Sequence, residues 1–196
     1  MTGYVLSLAK GKKEGVLRMK FSADGVTRTL TLTEEEYCDL GCPLRDEELS
    51  EDALFFLSEK EKYETAKEAA LRLLSYADNN RRTLIRKLTL KGHARETAER
   101  VAEEMISLGY INEERQLEHL IESAANRGLY GPAKITAKLL ARGYAAADIR
   151  RVFLRLCEEG VISPEENREA LILKKLGTAP DPDEKKQLLY RYGYKT

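Results

Sequence analysis

The sequence is poor in several residue types that mark particular classes of protein. It contains no tryptophan, three cysteines, two histidines and five prolines in 196 residues. Because we expect a reducing compartment, we interpret the three cysteines as free thiols. No stretch rich in glycine, serine and proline indicates a flexible linker. No signal-peptide pattern and no apolar run of membrane-spanning length is found, so we expect a cytoplasmic protein without membrane contact.

Net charge is also lacking, because 33 basic residues balance 33 acidic ones. Taken alone, this balance argues against a general nucleic-acid binder. The charge is distributed in blocks, however. Residues 33–68 carry thirteen acids and four bases, and the acidic segment 94–122 carries eight acids and three arginines. The basic blocks are 79–92, with five bases and no acid, and 126–155, with seven bases and one acid.

What the chain does contain first indicates β structure, over residues 4–32. Apolar residues alternate with Arg18 and Lys20 up to Phe21 and alternate again with threonines after Val26. The intervening Asp24-Gly25 favours a tight turn, so we predict a β-hairpin. Two short helices are predicted next, one capped by Thr33 and Glu36 and one starting near Ser50.

From about residue 59 the chain reads as helices only, with an internal repeat of 51 residues. Under that shift Leu84 falls on Ile135, Gly92 on Gly143, and Gly109 on Gly160. The apolar pairs are typical of helix core faces, and the glycines are typical of helix C-termini. The repeating unit is therefore predicted to contain three helices.

The predicted fold class is mainly α, with tandem three-helix repeats that stack into an elongated, curved molecule behind a small N-terminal β-hairpin region. The predicted division is 1–58 for the hairpin and acidic helices, 59–110 for repeat 1, 111–161 for repeat 2 and 162–196 for a truncated repeat 3.

Several motifs resemble one known family, the RecX regulators. The first repeat contains Ala70-Leu-Arg-Leu-Leu-Ser75 and then a basic helix that ends at Lys91-Gly92. The second contains Asn126-Arg-Gly-Leu-Tyr-Gly-Pro132 and then a basic helix that ends at Arg142-Gly143. The loop Leu108–Arg115 between them is also similar. The resemblance covers most of the chain, and the order and spacing of the motifs make it specific. The truncated third repeat and the two cysteines at positions 38 and 42 depart from the family pattern.

The resemblance implies a regulator of homologous recombination, DNA repair and the SOS response. Such a protein binds in the groove of the RecA–DNA filament, touches protein and DNA, and damps ATP hydrolysis and strand exchange. It implies no enzyme activity and no cofactor. We expect a monomer that contacts single- or double-stranded DNA without sequence preference and in a salt-dependent way.

The second helix of each repeat is the main predicted site. Lys134, Lys138 and Arg142 stand at i, i+4 and i+8, which places them on one helix face. Such a stripe suits backbone phosphates. A solvated face, or cations that favour the C-terminal end of the helix dipole, would give the same pattern. The predicted contact residues of repeat 1 are Arg82, Arg86, Lys87 and Lys91.

The following helix offers a weaker extension of this surface, formed by Arg150, Arg151 and Arg155. The competing interpretation is an exposed face beside neighbouring acids. Tyr130 and Tyr144 flank the second basic helix and could stack on bases. Packing against a neighbouring helix with the hydroxyl in water is the favoured interpretation.

The remaining candidates are weaker. Cys38 and Cys42 lack a second ligand pair for a metal, which leaves a redox role as a minor alternative. His93 and His119 lack metal-ligand spacing, and Gly11-Lys12-Lys13 lacks the rest of a phosphate loop. The acidic segment 34–52 either meets a basic partner or only aids solubility.

Two other functions compete with RecA regulation. A three-helix unit can resemble a helix-turn-helix, which would indicate a DNA-binding regulator that acts without RecA. A protein–protein scaffold without nucleic acid is the second alternative, and salt-independent affinity would favour it.

Overall fold

The structure is a computed structural model that describes residues 2–195. The chain divides into two compact units between Glu68 and Ala69. Each unit has its own hydrophobic core. The predicted division into segments 1–58, 59–110, 111–161 and 162–196 stays a proposal.

The first unit contains a three-stranded antiparallel sheet in the order β1-β2-β3. Its strands are β1 (Gly3–Lys10), β2 (Val16–Ala23) and β3 (Val26–Thr33). The predicted hairpin is confirmed as β2–β3, and both residues of its turn, Asp24 and Gly25, have positive φ. The sheet is larger than a hairpin because β1 pairs with the other edge of β2.

Two helices follow the sheet, α1 (Glu34–Asp39) and α2 (Glu51–Tyr76). The capping box is confirmed, since Thr33 Oγ1 accepts from the amide of Glu36 at 3.1 Å and the carboxylate of Glu36 accepts from the amide of Thr33 at 2.8 Å. The prediction of separate helices near residues 50 and 59 was wrong. One helix spans both, because no glycine or proline interrupts this stretch.

The second unit is helical throughout, as predicted. Glycines with positive φ follow α3, α4, α6 and α7, where the repeat placed them. The predicted break in the third repeat is confirmed between α8 and α9. The helices are α3 (Arg81–Leu90), α4 (Arg95–Ser107), α5 (Glu113–Glu122), a π-helical turn (Ser123–Arg127), α6 (Pro132–Ala141), α7 (Ala146–Glu158), α8 (Pro164–Leu176) and α9 (Pro182–Tyr192).

The middle helices α3, α6 and α9 meet end to end. At the first junction, Asn80 at the start of α3 donates from Nδ2 to the carbonyl of Arg142 at the end of α6, at 2.9 Å. At the second junction, Gly131 at the start of α6 donates its amide to the carbonyl of Tyr192 at the end of α9, at 2.8 Å. Each contact sets the positive end of one helix dipole against the negative end of the next.

Among residues 2–195, no helix combines the length and the apolar character that crossing a membrane requires.

Candidate anion-binding cleft

An open cleft of about 1350 Å³ lies at the first junction. Its walls come from the start of α3, the face of α5 and the end of α6. Three helices, one from the first repeat and two from the second, therefore contribute side chains to one surface. We call this surface the cationic cleft and define it by Arg82, Arg86, Arg115 and Arg142.

The floor of the cationic cleft is a chain of hydrogen bonds. The hydroxyl of Tyr144 donates to Oε1 of Gln116 at 2.8 Å, and Nε2 of Gln116 donates to the carbonyl of Asn79 at 3.3 Å. Asn79 is almost fully buried, and its Oδ1 accepts from Nζ of Lys87 at 2.5 Å. Burial raises the pKa of Tyr144 above its ordinary value. These bonds fix the three walls relative to one another.

The start of α3 is fixed by Asn80, which is also buried. Its Oδ1 accepts from the amide of Thr83 at 2.8 Å and so caps α3, while its Nδ2 holds the carbonyl of Arg142. A single side chain thus caps one helix and binds the end of another. This arrangement brings the end of α6, with Arg142, to the first turn of α3, which contains Arg82.

The four arginines of the cationic cleft have no ion pair among the described residues. Asp78 is the one acidic residue among those that line the cleft. Four unpaired guanidinium groups on one concave surface create a positive potential there. Arginine presents a planar fork of donors that matches carboxylates and phosphates, so the cleft suits an anion.

Three of the ten predicted contact residues meet in this cleft, namely Arg82, Arg86 and Arg142. Lys91 is exposed after the end of α3 and does not line it. Lys87 is partly buried and is engaged by Asn79. Of the four predicted cations of repeat 1, Arg82 and Arg86 therefore line the cleft, Lys87 supports its floor, and Lys91 lies outside it.

The predicted stripe of Lys134, Lys138 and Arg142 is divided by the two junctions. Nζ of Lys134 lies 4.6 Å from the ring centroid of Tyr130 and 5.1 Å from that of Tyr192, and it donates to a carbonyl at the end of α9. Nζ of Lys138 lies 4.0 Å from the Tyr130 ring. Two of the three cations thus form cation–π contacts at the second junction.

The flanking tyrosines behave differently from each other. Tyr130 packs beside Tyr192, with ring centroids 5.7 Å apart. Tyr144 is buried in the helical core, as the favoured interpretation expected, and its hydroxyl donates a hydrogen bond to Gln116 at the cleft. The burial of Tyr144 leaves it no ring face for base stacking.

The arginines of α7 are mostly paired with acids of α5. The guanidinium group of Arg151 lies 3.3 Å from Glu114 and 3.1 Å from Asp148. That of Arg155 lies 3.3 Å from Glu114 and also bonds Glu118. The hydrogen bond to Asp148 raises the pKa of Arg151, and the hydrogen bond to Glu118 raises that of Arg155. Arg150 is exposed, and no ion pair is found for it in the described part of the chain.

Sequence reasoning missed Arg115 and His119, which also line the cleft. Both lie in the acidic segment 94–122, and counting charge by segment concealed them. Their position was accessible from helical periodicity, since residues 115, 116 and 119 share one face of α5.

The second junction shows that the repeat does not need these arginines. The 51-residue shift places Ala133, Ala137 and Glu166 where the first junction has Arg82, Arg86 and Arg115. Both junctions close with the same kind of bond to a helix-end carbonyl. The arginines are therefore a property of the first junction and are not required by the fold.

Comparisons with known proteins place the chain among regulatory proteins named RecX. A family model described as the first three-helix domain of RecX matches residues 66–105. The RecX of Pseudomonas syringae pv. tomato is 34% identical over 111 residues, which cover 57% of this chain and 69% of that protein. The RecX of Pseudomonas putida strain KT2440 is 34% identical over 119 residues, which cover 60% and 74%.

Two solved structures share the fold. The crystal structure of a regulatory protein RecX superposes with a TM-score of 0.70 at 18% identity and covers 98% of this chain and 95% of the other. The crystal structure of RecX from Lactobacillus salivarius gives a TM-score of 0.58 at 19% identity and covers 69% and 90%. At these identities the likeness concerns the fold alone.

Proposed function

We propose, from the premise that this chain belongs to the RecX family of regulatory proteins, that it regulates homologous recombination by binding the RecA–DNA filament through the cationic cleft. The expected effect is inhibition of ATP hydrolysis and strand exchange by RecA. The anion in the cleft would be a DNA phosphate or an acidic side chain on the filament surface.

The observation that carries this proposal is the set of four unpaired arginines at the first junction. A paired arginine must break an existing contact before it binds a new anion, whereas an unpaired one loses only hydration. The cations of the cationic cleft are therefore better placed for binding than Arg151 and Arg155. The absence of equivalent arginines at the second junction indicates that they are not present for stability.

A role for phosphate contacts agrees with the shape of the site. The walls are helices, and the cleft is open to solvent, so an anion can reach the arginines. Contacts of this kind set affinity and orientation and read no sequence. Lys91, Lys138 and Arg150 are exposed and stay in the proposed contact surface.

The test uses the full chain and the cognate RecA. DNA-dependent ATP hydrolysis is measured while the protein is titrated in, at two salt concentrations. Binding to a labelled RecA filament on single-stranded DNA is followed in parallel by fluorescence anisotropy. We expect hydrolysis to fall at substoichiometric protein, with a smaller effect at high salt.

A quadruple variant, Arg82→Gln, Arg86→Gln, Arg115→Gln and Arg142→Gln, tests the cleft itself. If each arginine meets one phosphate, the slope of log affinity against log salt should decrease in magnitude by about 0.7 per arginine, or about 3 in all. The matched control is Arg151→Gln with Arg155→Gln, which removes paired arginines from the same unit. Circular dichroism of both variants checks that they fold.

The other outcomes would favour other functions. Equal filament binding by the folded quadruple variant and the unchanged protein would reject the cationic cleft as the contact surface. Tight binding to one duplex sequence without RecA would indicate a DNA-binding regulator. Affinity for a protein that ignores both salt and DNA would indicate a scaffold.

A further inference from the structure

The end of α1 has an unusual backbone. A helix commonly ends in a single left-handed residue, and Gly41 supplies it with φ 82°. The next residue, Cys42, is also left-handed, with φ 53°, which is uncommon for a residue with a side chain. The left-handed conformation of Cys42 is not needed to end the helix, but it directs the chain at Cys42 back over the last turn of α1.

Hydrogen bonds hold this turn in place on both sides. The amide of Cys42 donates to the carbonyl of Tyr37 at 3.1 Å, and the amide of Gly41 donates to the carbonyl of Cys38 at 2.8 Å. The hydroxyl of Tyr37 donates to the carbonyl of Pro43 at 2.9 Å. The positions of the two cysteines are therefore fixed by the backbone and do not depend on a contact between the thiols.

The result is a pair of exposed thiols whose sulfur atoms lie 3.6 Å apart. A disulfide bond is about 2.05 Å long, so rotation about the side-chain bonds has to bring the sulfurs together by about 1.5 Å. Both thiols are open to a small oxidant in solution. The third cysteine, Cys157, is partly buried in α7 of the second unit.

We propose that Cys38 and Cys42 are a modification site, a dithiol that a peroxide or a small disulfide oxidises to an intramolecular disulfide. With hydrogen peroxide, the thiolate of one cysteine attacks a peroxide oxygen, the O–O bond breaks, and the products are a sulfenic acid and water. The second thiol then attacks the sulfenic sulfur and displaces a second water. The two thiols lose two electrons and two protons, and the peroxide is reduced to two waters.

The disulfide would act on the segment that follows. Residues 42–49 run beside the free edge of β1: the amide of Val5 donates to the carbonyl of Glu47 at 3.1 Å, and the amide of Asp46 donates to the carbonyl of Val5 at 2.8 Å. A cross-link between α1 and the start of this segment reduces its freedom to leave the edge. We expect slower amide hydrogen exchange at Asp46 in the oxidised protein than in the reduced protein.

The test is made on the full chain. The protein is treated with hydrogen peroxide, the oxidant is removed, free thiols are alkylated with N-ethylmaleimide, and the digest is analysed by mass spectrometry. Trypsin leaves both cysteines in the peptide 29–45. After peroxide, we expect this peptide to carry no N-ethylmaleimide and to be two hydrogen atoms lighter than the peptide with two free thiols. When dithiothreitol precedes alkylation, we expect the peptide to carry two N-ethylmaleimide adducts.

Single substitutions provide the controls. Cys157→Ser keeps the pair and should behave as the unchanged protein does. Cys38→Ser or Cys42→Ser leaves one thiol of the pair and should give no disulfide within peptide 29–45. Full alkylation of peptide 29–45 after peroxide, separate overoxidation of the two sulfurs, or a cross-link between two chains would each overturn the proposal. Because the Cys157→Ser variant retains the whole α1 turn, these outcomes stay readable even if another variant fails to fold.

Discussion

Asn80 offers the sharpest test of how the repeats are joined, because it makes two separable hydrogen bonds. Its Oδ1 caps α3, and its Nδ2 donates to the carbonyl of Arg142 across the first junction. Removal of a capping side chain costs about 1 kcal/mol, and loss of a neutral hydrogen bond costs about 1 kcal/mol. We therefore expect Asn80→Ala to lower the free energy of unfolding by about 2 kcal/mol.

A matched pair of variants separates the two terms. Asn80→Ser keeps a capping oxygen and removes only the bond to Arg142, so it should cost about 1 kcal/mol. Asn112 caps α5 in the same way, accepting from the amide of Arg115 at 2.9 Å, and no bond across a junction is found for it among the described residues. Asn112→Ala should therefore cost about 1 kcal/mol, and Asn112→Ser should cost little.

The assay is urea unfolding of the second unit within the full chain, followed by circular dichroism. At about 2–4 °C per kcal/mol for a chain of this size, Asn80→Ala should also lower Tm by about 4–8 °C. Equal losses for Asn80→Ala and Asn112→Ala would refute the claim that the junction bond stabilises the unit. The hydroxyl of Thr83, 3.5 Å from the same carbonyl, is too distant to replace it.

Three further predictions concern packing, pH and reactivity. Gly131→Ala should lower the free energy of unfolding in urea more than Gly160→Ala does. A Cβ at position 131 would lie 2.5 Å from a carbonyl oxygen at the end of α9. At position 160 only the positive φ opposes alanine, at a cost of about 1 kcal/mol. Burial raises the pKa of Tyr144, so the tyrosine loses its proton at lower pH in the unfolded chain than in the folded one. The free energy of unfolding should therefore fall as pH rises above about 10. In urea midpoints measured from neutral to alkaline pH, Tyr144→Phe should make this fall shallower. The hydrogen bond with Cys42 and nearby carboxylates raise the pKa of Cys38, so the rate of its alkylation should be low at neutral pH and rise at alkaline pH; a rate independent of pH would contradict this.

The fold was largely predictable because its signals are local and repeated. Apolar spacing and helix-ending glycines follow from backbone geometry within a few residues, and the 51-residue shift shows the same local signals a second time. The errors arose where a local signal was ambiguous. Ser50 is typical of a helix start, but a start signal does not show where the helix ends. Two helices were therefore predicted for the stretch Glu51–Tyr76, which forms one. The pairing of β1 with β2 depends on tertiary contacts that alternation alone does not specify.

The candidate site was predictable only in part, because it is assembled across elements. Helical spacing predicted Lys134, Lys138 and Arg142 along one helix, and the structure has the two lysines within α6 and Arg142 at its C-cap. It could not show that the two ends of that helix meet different partners, α9 at its start and α3 at its end. For the same reason Arg115 was concealed by the acidic residues around it, although its neighbours in space are arginines.

The contrast between the junctions also bears on how affinity would be generated. The end of α6 docks at the start of α3, and the end of α9 docks at the start of α6. Cations in the last turn of one middle helix therefore lie beside cations in the first turn of the middle helix of the preceding repeat. Arg142 thereby adds to Arg82 and Arg86, whereas the corresponding end of α9 meets Ala133 and Lys134, and Lys134 is already engaged by aromatic rings. A chain of zero net charge can therefore present a concentrated positive surface at one junction. Placement of charge, more than its amount, determines where an anionic partner would bind.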